Sequence, residues 1–376
     1  MAPRARVATL SRTATAALGG LAIGTAAYKS HALLPPRVDF PGSNQARTAS
    51  LSMKASAGPS ADEGVVNSIY RYPVKSCGGQ SLDEVRCSRL SSLPGDRQYL
   101  WVDKGGKFIT QRPHEPRQGN GGKGVPKLST IEASISSDDS TLRLAAPDEP
   151  ALEPLIIPKG GMDGERREVT LFSGSAKVVE QLGSAGAWFQ QFCGIEGARL
   201  VKADGEANKL ADDWRASRVA FQSAAFQGEE DAPREIPLDD GGTILIISKA
   251  SLDELNTRLT AKGLTPVAMT RFRANFVLDG LPAHAEDGWR VVKLGEVTLR
   301  VERPCTRCST VLVDQEAGKS DAINWLSKVL AKYRLSGPDP AYDSFDLQGT
   351  KFGCYCTPLS AGMVRRGDAV EVLERK

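Results

Sequence analysis

The sequence predicts a β-rich α+β protein with two folded domains. Short apolar runs that alternate with polar residues recur along the chain, and a period of two is typical of half-buried strands. Only three segments show the spacing of an amphipathic helix. The chain has 376 residues, 25% of them charged and 40% hydrophobic, so it is long enough and apolar enough to bury two ordinary cores.

The strands are predicted where apolar and β-branched residues recur between turn residues. The clearest one covers residues 297–303, where Val297, Leu299 and Val301 share one face. A second apolar run follows at 310–314, so the sequence predicts two strands joined by the segment between them. The other predicted strands cover residues 64–72, 128–136, 141–145, 168–172, 198–202, 243–247, 271–278 and 368–373.

Three helices are predicted from apolar residues at helical spacing. The best of them begins near residue 248 and places Leu252, Leu255 and Leu259 on one stripe. The other two cover residues 178–192 and 321–333.

The first 62 residues are predicted to precede the folded body. Residues 1–38 hold five basic and no acidic side chains among many Ala, Ser and Thr, which is the composition of a targeting segment. Their uncharged stretch of sixteen residues, 13–28, falls short of a clear membrane span, so an anchor and a cleaved transit peptide both remain open. Residues 39–62 are predicted to be a linker.

The charge distribution argues against a nucleic-acid partner. Residues 1–61 carry a net charge of +6 and the remainder carries −3, so the basic excess belongs to the leader. A nucleic-acid-binding domain would instead have a clustered basic face.

Cys305 and Cys308 form the most informative pattern in the chain, because two residues separate them and they follow the clearest strand. The pair by itself permits a zinc knot, a redox dithiol, one metal-binding thiolate beside a bystander, or two structural cysteines. Zinc needs four ligands, and the other close pair, Cys354 and Cys356, has an atypical spacing. A redox dithiol normally opens a helix, whereas β-rich sequence follows here.

The number of cysteines bears on whether the thiols are free or joined in disulfides. Seven cysteines is an odd number, and free thiols are expected in a reducing compartment. The sequence contains no four-cysteine ferredoxin pattern, so electrons for any redox reaction are expected from another protein.

Four polar residues in distant segments would suit a phosphate group if they folded together. A lysine supplies a point charge, an arginine a planar pair of donors and a serine a hydroxyl. Each is weak evidence alone, because surface basic residues are usually just solvated. The four residues are Lys75, Ser76, Arg97 and Arg273.

Seven short motifs occur in the same order as in a known protein family, and together they are stronger evidence than any one of them. They lie within residues 64–376 and read Tyr72-Pro73-Val74-Lys75-Ser76-Cys77, Gly95-Asp96-Arg97, Leu245-Ile246-Ile247-Ser248-Lys249-Ala250-Ser251-Leu252, Phe272-Arg273-Ala274-Asn275, Ala285-Glu286-Asp287-Gly288-Trp289, Cys305-Thr306-Arg307-Cys308 and Phe352-Gly353-Cys354-Tyr355. In these motifs the chain resembles MOSC-domain molybdoenzymes of the mitochondrial amidoxime-reducing component type. The resemblance implies an N-terminal MOSC-type β domain over residues 63–195 and a C-terminal MOSC β-barrel over residues 196–376.

The resemblance also implies a role for each matching residue. Cys308 matches the thiolate that ligates molybdenum in the molybdenum cofactor, and soft thiolate ligation suits a metal already bound by the sulfurs of a pterin. Cys305 precedes that ligand and is not expected to bind the metal. The pterin and its phosphate are expected to contact Lys75, Ser76, Arg97, Arg273 and Asn275. Further contacts are expected from Asp240, Gly241, Gly242, Thr306, Arg307 and Tyr355, with the two glycines contributing backbone amides.

The activity implied by the resemblance is a two-electron, two-proton reduction of N-hydroxylated compounds. An amidoxime or N-hydroxyguanidine would become an amidine or guanidine plus water, with nitrite reduction to nitric oxide as a side activity. Cytochrome b5 and its NADH-dependent reductase are the implied electron donors, with nitrate reductase as another. The implied location is the outer mitochondrial membrane, facing the cytosol, and the leader also permits cleavage in a mitochondrion or plastid.

Two other functions remain open from the sequence. A MOSC protein could carry the molybdenum cofactor, or transfer sulfur through Cys308, without reductase turnover. A β-rich module stabilised by zinc is the non-enzymatic alternative.

Overall fold

The computed structural model describes residues 63–89, 93–113, 124–171, 174–204, 238, 244–321, 324–336 and 349–376. The targeting segment and linker predicted for residues 1–62 lie outside this range, as does the loop Asp240, Gly241 and Gly242. In the described part of the chain no helix is both long and apolar enough to cross a membrane.

Strands dominate the described residues, and three α-helices accompany them. The strands are β1 Glu63–Arg71, β2 Gln80–Leu82, β3 Glu84–Cys87, β4 Tyr99–Val102, β5 Glu132–Ile135, β6 Thr141–Ala145, β7 Leu155–Pro158, β8 Asp163–Leu171, β9 Gly174–Gln181, β10 Arg199–Ala203, β11 Ile244–Ser248, β12 Phe276–Asp279, β13 Trp289–Leu294, β14 Val297–Thr306, β15 Val313–Asp314, β16 Lys319–Ser320, β17 Leu335–Ser336, β18 Gly349–Pro358, β19 Gly362–Arg365 and β20 Ala369–Arg375. The helices are α1 Ala185–Cys193, α2 Lys249–Thr260 and α3 Trp325–Arg334.

Seven strands close into a barrel in the order β11, β12, β1, β20, β13, β14 and β18. Closure comes from the antiparallel pairing of β18 with β11, in which Ile244 lies opposite Cys356. Strand β1 belongs to this barrel although it lies in the segment predicted as the N-terminal domain. The predicted β-rich α+β class with a C-terminal β-barrel is confirmed.

The barrel has apolar residues on both faces. Ile244 and Ile246 of β11 point into the interior with Leu299 and Val301 of β14. Leu245 and Ile247 point outward, where the leucine stripes of α2 and α3 cover them. A strand covered on both faces reads as a continuous apolar run, which is why β11 was recognisable in the sequence.

Strands β4 to β10 and helix α1 form a smaller β region. Strands β4, β10, β9 and β8 make one sheet, and β5, β6 and β7 make another. Trp101 of β4 stacks on Phe189 of α1 with ring centroids 4.1 Å apart, within the core that these elements share. This is the position of the predicted N-terminal β domain.

Four local predictions were wrong in whole or in part. The strand predicted for 128–136 begins only at Glu132, after a 3-10 turn over Pro126–Thr130. The helix predicted for 178–192 is strand β9 followed by the shorter helix α1, because β-branched Val178 and Val179 favour a strand. The strand predicted for 310–314 is a 3-10 turn, Ser309–Leu312, followed by the two-residue β15. The strand predicted for 271–278 begins only at Phe276, after a turn in which Arg273 has a left-handed φ of 55°.

Gly353 interrupts the alternation of β18 with a left-handed φ of 79°. Phe352 therefore packs outside the barrel and Cys354 inside it, although residues two positions apart in a regular strand point to the same face. A Cβ at Gly353 would lie 2.6 Å from Ile247 Cγ1 and 2.7 Å from the Ile246 carbonyl oxygen.

Gly353→Ala is therefore expected to lower the free energy of unfolding by about 2–4 kcal/mol, through backbone strain and overlap with β11. The matched control is Gly367→Ala, since Gly367 has a φ of 88° but open space around its Cβ position. That control should lose only about 1 kcal/mol. Chemical denaturation of both variants checks the difference, and equal losses would contradict the proposed overlap at the barrel seam.

Candidate active site

The two cysteines at the end of β14 have different surroundings. Cys305 is 2% exposed and packs in the apolar cluster outside the barrel. Cys308 is partly exposed at the start of the following 3-10 turn, where its thiol donates to the Thr310 hydroxyl oxygen at 3.2 Å. Of this pair, only Cys308 therefore has a thiol that can be reached from outside the core, as a metal ligand requires.

Arg307 holds a positive charge beside both cysteines. Its guanidinium donates to the sulfur of Cys305 at 3.0 Å and to the carbonyl oxygen of Phe272 at 2.8 Å. Burial disfavours its charged form, but Cys305, Tyr355 and Cys308 outweigh that effect and raise the pKa of Arg307 above its usual value. Its Nε has no hydrogen-bond partner among the described atoms. The guanidinium is thus fixed in place while its Nε–H remains without a partner among the described atoms.

Thr306 and Tyr355 lie on the paired strands β14 and β18. Thr306 is the last residue of β14, opposite Lys351, and Tyr355 lies opposite Arg303. The Arg303 guanidinium lies 5.3 Å from the centre of the Tyr355 ring. Strand pairing therefore brings Tyr355 to the same end of the barrel as the cysteine segment.

The segment after β1 carries Lys75 and Ser76 against β4. The backbone N–H of Lys75 donates to the Tyr99 carbonyl, and its buried ammonium donates to the carbonyl of Leu238, each within 2.8 Å. Ser76 has a left-handed φ of 68°, and its hydroxyl lies 3.4 Å from that of Thr110. The chain therefore turns sharply at the predicted phosphate residues.

Arg97 and Arg273 lie against one aromatic ring, that of Tyr72. Their guanidinium carbons are 5.0 and 4.2 Å from the ring centre. Arg97 also donates to the Arg273 carbonyl oxygen at 3.2 Å and forms an ion pair with Asp96. Both arginines have left-handed backbone angles, with φ values of 48° and 55°. Non-glycine residues adopt this conformation infrequently, and it clusters at functional sites.

Arg273 is a buried cation without a carboxylate partner in the described part of the chain. It is 8% exposed and donates to the Cys77 carbonyl at 2.6 Å and to Gln315 Oε1 at 3.3 Å. Burial lowers the pKa of Arg273 to about 10, with repulsion from Arg97 adding to the effect. A buried charge is normally paired, so this arrangement favours an anionic ligand.

Asn275 mainly joins strands. Its side-chain oxygen accepts from the Leu245 N–H at 3.1 Å, and its amide donates to the Tyr70 carbonyl at 3.1 Å. Arg97 also reaches Asn275 Oδ1, at 3.4 Å. Asn275 therefore holds β11, β1 and Arg97 together, and its predicted contact with a cofactor stays a prediction.

The predicted residues form two groups that meet at the turn Phe272–Arg273. One group is connected through Tyr72 and the segment after β1, and the other surrounds the end of β14. Arg307 links them, because it donates to the Phe272 carbonyl next to Arg273. The first group is Lys75, Ser76, Arg97, Arg273 and Asn275, and the second is Thr306, Arg307, Cys308 and Tyr355.

Tyr72 and Gln315 contact Arg273, and neither contact was predicted from the sequence. Tyr72 lies within a quoted motif, and the pair Gly78-Gly79 was a further signal, since a Cβ on Gly79 would come within 2.5 Å of the Tyr72 ring. No local pattern marked Gln315, which follows the two-residue strand β15.

A cavity of about 300 Å³ adjoins Tyr72 and Gln315. Three exposed carboxylates, Glu132, Asp148 and Glu316, contribute to its lining. It has neither Cys308 nor any basic side chain in its lining, so it is not the predicted anion site. The lining residues are Tyr70, Tyr72, Gly78, Gly79, Ser129, Thr130, Glu132, Pro147, Asp148, Thr270, Gln315 and Glu316.

Of the other cysteines, Cys193 is partly exposed and the rest are buried. All seven cysteines are free thiols, as expected, and Cys354 and Cys356 point into the barrel. Burial raises the pKa of both thiols well above the usual value. Among the described residues no three His, Cys, Asp or Glu side chains come together as a metal-binding group.

Comparison with known proteins shows which family the chain belongs to. Two family models match successive parts of the chain, the MOSC N-terminal beta barrel domain over residues 63–196 and the MOSC domain over residues 233–371. Mitochondrial amidoxime reducing component 2 of Bos taurus is 30% identical over 311 residues, which cover 82% of each chain. The chain belongs to the MOSC family, in the group of the amidoxime-reducing components.

Other relatives of this MOSC protein agree with that placement. The human amidoxime reducing component 2 is 29% identical over 311 residues, 82% of this chain and 83% of that protein. The molybdenum cofactor sulfurase of Oryza sativa is 27% identical over 279 residues, 72% of this chain but 31% of that protein. Family membership and these names imply a molybdenum-cofactor enzyme.

The site residues of this MOSC protein fit such a cofactor. Arg273 is a buried guanidinium without a carboxylate partner among the described residues, which suits the phosphate of a pterin. The unused Nε of Arg307 offers a further donor. Cys308 offers a soft, partly exposed sulfur ligand. The individual roles of these residues stay predictions.

Proposed function

We propose that this protein is a molybdenum-cofactor-dependent reductase of N-hydroxylated compounds such as amidoximes and N-hydroxyguanidines. The observation that carries the proposal is the partly exposed Cys308 beside Arg307 and the uncompensated buried charge of Arg273. The relatives named amidoxime reducing component support the substrate class.

In this proposal the protein binds and orients the cofactor. The cofactor, when bound, supplies two-electron chemistry that the side chains of the protein lack. Lys75, Ser76, Arg97 and Arg273 would hold its phosphate, and Cys308 would provide the metal ligand. Arg307 would keep Cys308 and the cofactor in register, because the Phe272 carbonyl and Cys305 fix its guanidinium.

The proposed reaction consumes two electrons and two protons. The N–O bond of the substrate breaks, the nitrogen keeps its carbon substituent, and the oxygen leaves as water. Electrons would come from cytochrome b5, itself reduced by its NADH-dependent reductase, or from nitrate reductase. Reduction of nitrite to nitric oxide and water, with one electron and two protons, would be a side activity.

Cofactor content and turnover test the proposal together. The full chain, purified from a host that makes the molybdenum cofactor, should contain molybdenum and pterin near one per protein. It should also reduce benzamidoxime to benzamidine when NADH, cytochrome b5 and its reductase are present. Zinc without pterin would overturn the proposal in favour of the structural zinc module.

A cofactor carrier or sulfur-transfer protein is the second candidate, because the matched region also resembles the rice molybdenum cofactor sulfurase. Cys308 would then be a carrier thiol. Stoichiometric pterin without benzamidoxime turnover, combined with activation of a cofactor-free acceptor enzyme, would favour this candidate over the reductase.

We also propose that the leader tethers the protein to the outer mitochondrial membrane with the folded body in the cytosol. Its basic, acid-free composition over residues 1–38 supports this location. Protease treatment of intact mitochondria should degrade the folded body. A protected or plastid-localised body would contradict the tether.

A further inference from the structure

Three buried polar side chains form a chain of hydrogen bonds beside the predicted cofactor residues. Arg273 donates to Gln315 Oε1 at 3.3 Å, and Gln315 Nε2 donates to Gln111 Oε1 at 2.8 Å. The three side chains belong to residues that are 8%, 9% and 1% exposed, respectively. The chain ends at Gln111 Nε2, which has no hydrogen-bond partner among the described atoms.

The direction of these hydrogen bonds is fixed by chemistry. A guanidinium can donate but cannot accept, so the atom of Gln315 that faces Arg273 must be its oxygen. The amide nitrogen of Gln315 then faces Gln111 and requires an oxygen there; it also donates to the Val313 carbonyl at 3.1 Å. Gln111 is left with its NH₂ group pointing away from Gln315, and neither amide can be flipped without losing a bond.

Gln111 also lies next to the other predicted phosphate residues. Thr110, its neighbour in the chain, has its hydroxyl 3.4 Å from that of Ser76. Gln111 is therefore connected to Arg273 on one side, through Gln315, and to Ser76 on the other, through Thr110. An unpartnered buried N–H group is costly, and such groups are rare unless a ligand or an ordered water satisfies them.

We propose that Gln111 is a further cofactor-binding residue, whose amide N–H donates to an acceptor atom of the bound pterin. Gln315 acts as a positioning residue. Because Arg273 fixes the orientation of its amide, its Nε2 faces the Gln111 oxygen and leaves the Gln111 NH₂ group pointing away from it. This assignment rests on the proposed function, since it needs a bound pterin. The alternative is that an ordered water molecule accepts the N–H.

The test measures pterin retention in the full chain for Gln111→Met and Gln111→Glu. The first variant removes the donor, and the second keeps the oxygen that Gln315 needs but replaces the donor with an acceptor. Dissociation of the pterin, followed by its fluorescence after dilution, should be about 3- to 10-fold faster for Gln111→Met. Gln111→Glu should lose the pterin faster still, because an acceptor then faces the anionic cofactor.

Thermal unfolding of cofactor-free protein separates binding from a structural role. Gln111→Met loses the hydrogen bond from Gln315 Nε2, which keeps the Val313 carbonyl, but it also removes the unpartnered N–H of Gln111. Because these two effects offset each other, the melting temperature of the cofactor-free variant should stay close to that of the wild type. The matched control is Gln181→Met, since Gln181 of β9 is 5% exposed and its amide donates to Asp163 of β8 at 3.1 Å. That control should lose stability and retain pterin normally.

Each outcome distinguishes this assignment from the proposed function. Wild-type protein with pterin and Gln111 variants with unchanged retention would overturn the assignment alone, leaving a water as the acceptor. A fall in retention that tracks a lower melting temperature of the cofactor-free variants would also overturn it. Wild-type protein without pterin would overturn the proposed function and the assignment together.

Discussion

Replacing Cys308 with alanine is expected to remove reductase activity and leave the protein folded. Turnover of benzamidoxime should fall more than about 100-fold, because changing residues that merely support a metal ligand already costs 10- to 100-fold. The partly exposed side chain lies at the start of a short turn, so the free energy of unfolding should change by less than about 1 kcal/mol. Steady-state kinetics and chemical denaturation check both expectations.

Cys305→Ala is the matched control, since it changes the same side chain three residues away. Cys305 is 2% exposed and accepts a hydrogen bond from Arg307, so its loss should cost about 1–2 kcal/mol of stability. Its activity should fall less than that of Cys308→Ala, because its sulfur accepts a hydrogen bond from Arg307 and is not expected to bind the metal. Full activity in pure Cys308→Ala would exclude Cys308 as the metal ligand.

Predictions from local periodicity were the most successful part of the sequence analysis. Strand β6 has the predicted bounds, 141–145, and Val297, Leu299 and Val301 share the interior face of β14 as expected. A period of two depends only on which face is buried, so neighbouring residues carry the information. The helix α2 was recognisable for the same reason, from its stripe of leucines.

Irregular segments were predicted poorly, because tertiary contacts determine them. The turn that carries Arg273 reads as a strand, with apolar residues close by in sequence. Arg273 has a left-handed backbone there, and its side chain donates to the Cys77 carbonyl, which lies far away in sequence. The turn after Cys308 likewise follows the burial of Val311, whose carbonyl accepts from Arg271 at 3.3 Å.

The composition of the candidate site was predictable only through motifs. Lys75, Arg97 and Arg273 are far apart in the chain, and no periodicity connects them. They were assigned to one site because each lies in a motif of the family. Arg97 and Arg273 both lie against the Tyr72 ring, and both have positive φ angles that the sequence does not reveal. Gln111 and Gln315 matter only because of the direction of hydrogen bonds that Arg273 imposes.

Arg273→Met is expected to release the cofactor without unfolding the protein. Charge-assisted hydrogen bonds in a buried site contribute about 1.5–3 kcal/mol, so pterin affinity should fall about 10- to 100-fold. In the cofactor-free protein, relief of the buried charge offsets the lost contacts with Cys77, Gln315 and Tyr72. Its free energy of unfolding should therefore change by less than about 1 kcal/mol. Arg273→Lys should recover part of the affinity, since it keeps the charge but loses the planar pair of donors.

Arg271 provides the matched control two residues away. It is an equally buried arginine, but unlike Arg273 it is paired with carboxylates. It is 7% exposed and forms ion pairs with Asp314 at 3.1 Å and Asp321 at 2.8 Å. Arg271→Met should thus cost about 1–3 kcal/mol of stability, since Asp314 is partly solvated, and the folded fraction should keep its pterin. Pterin fluorescence and denaturation of both variants should show opposite profiles. Arg273→Met with normal pterin occupancy would mean that its buried charge serves the fold, and the phosphate would then have to be held by Lys75 and Arg97.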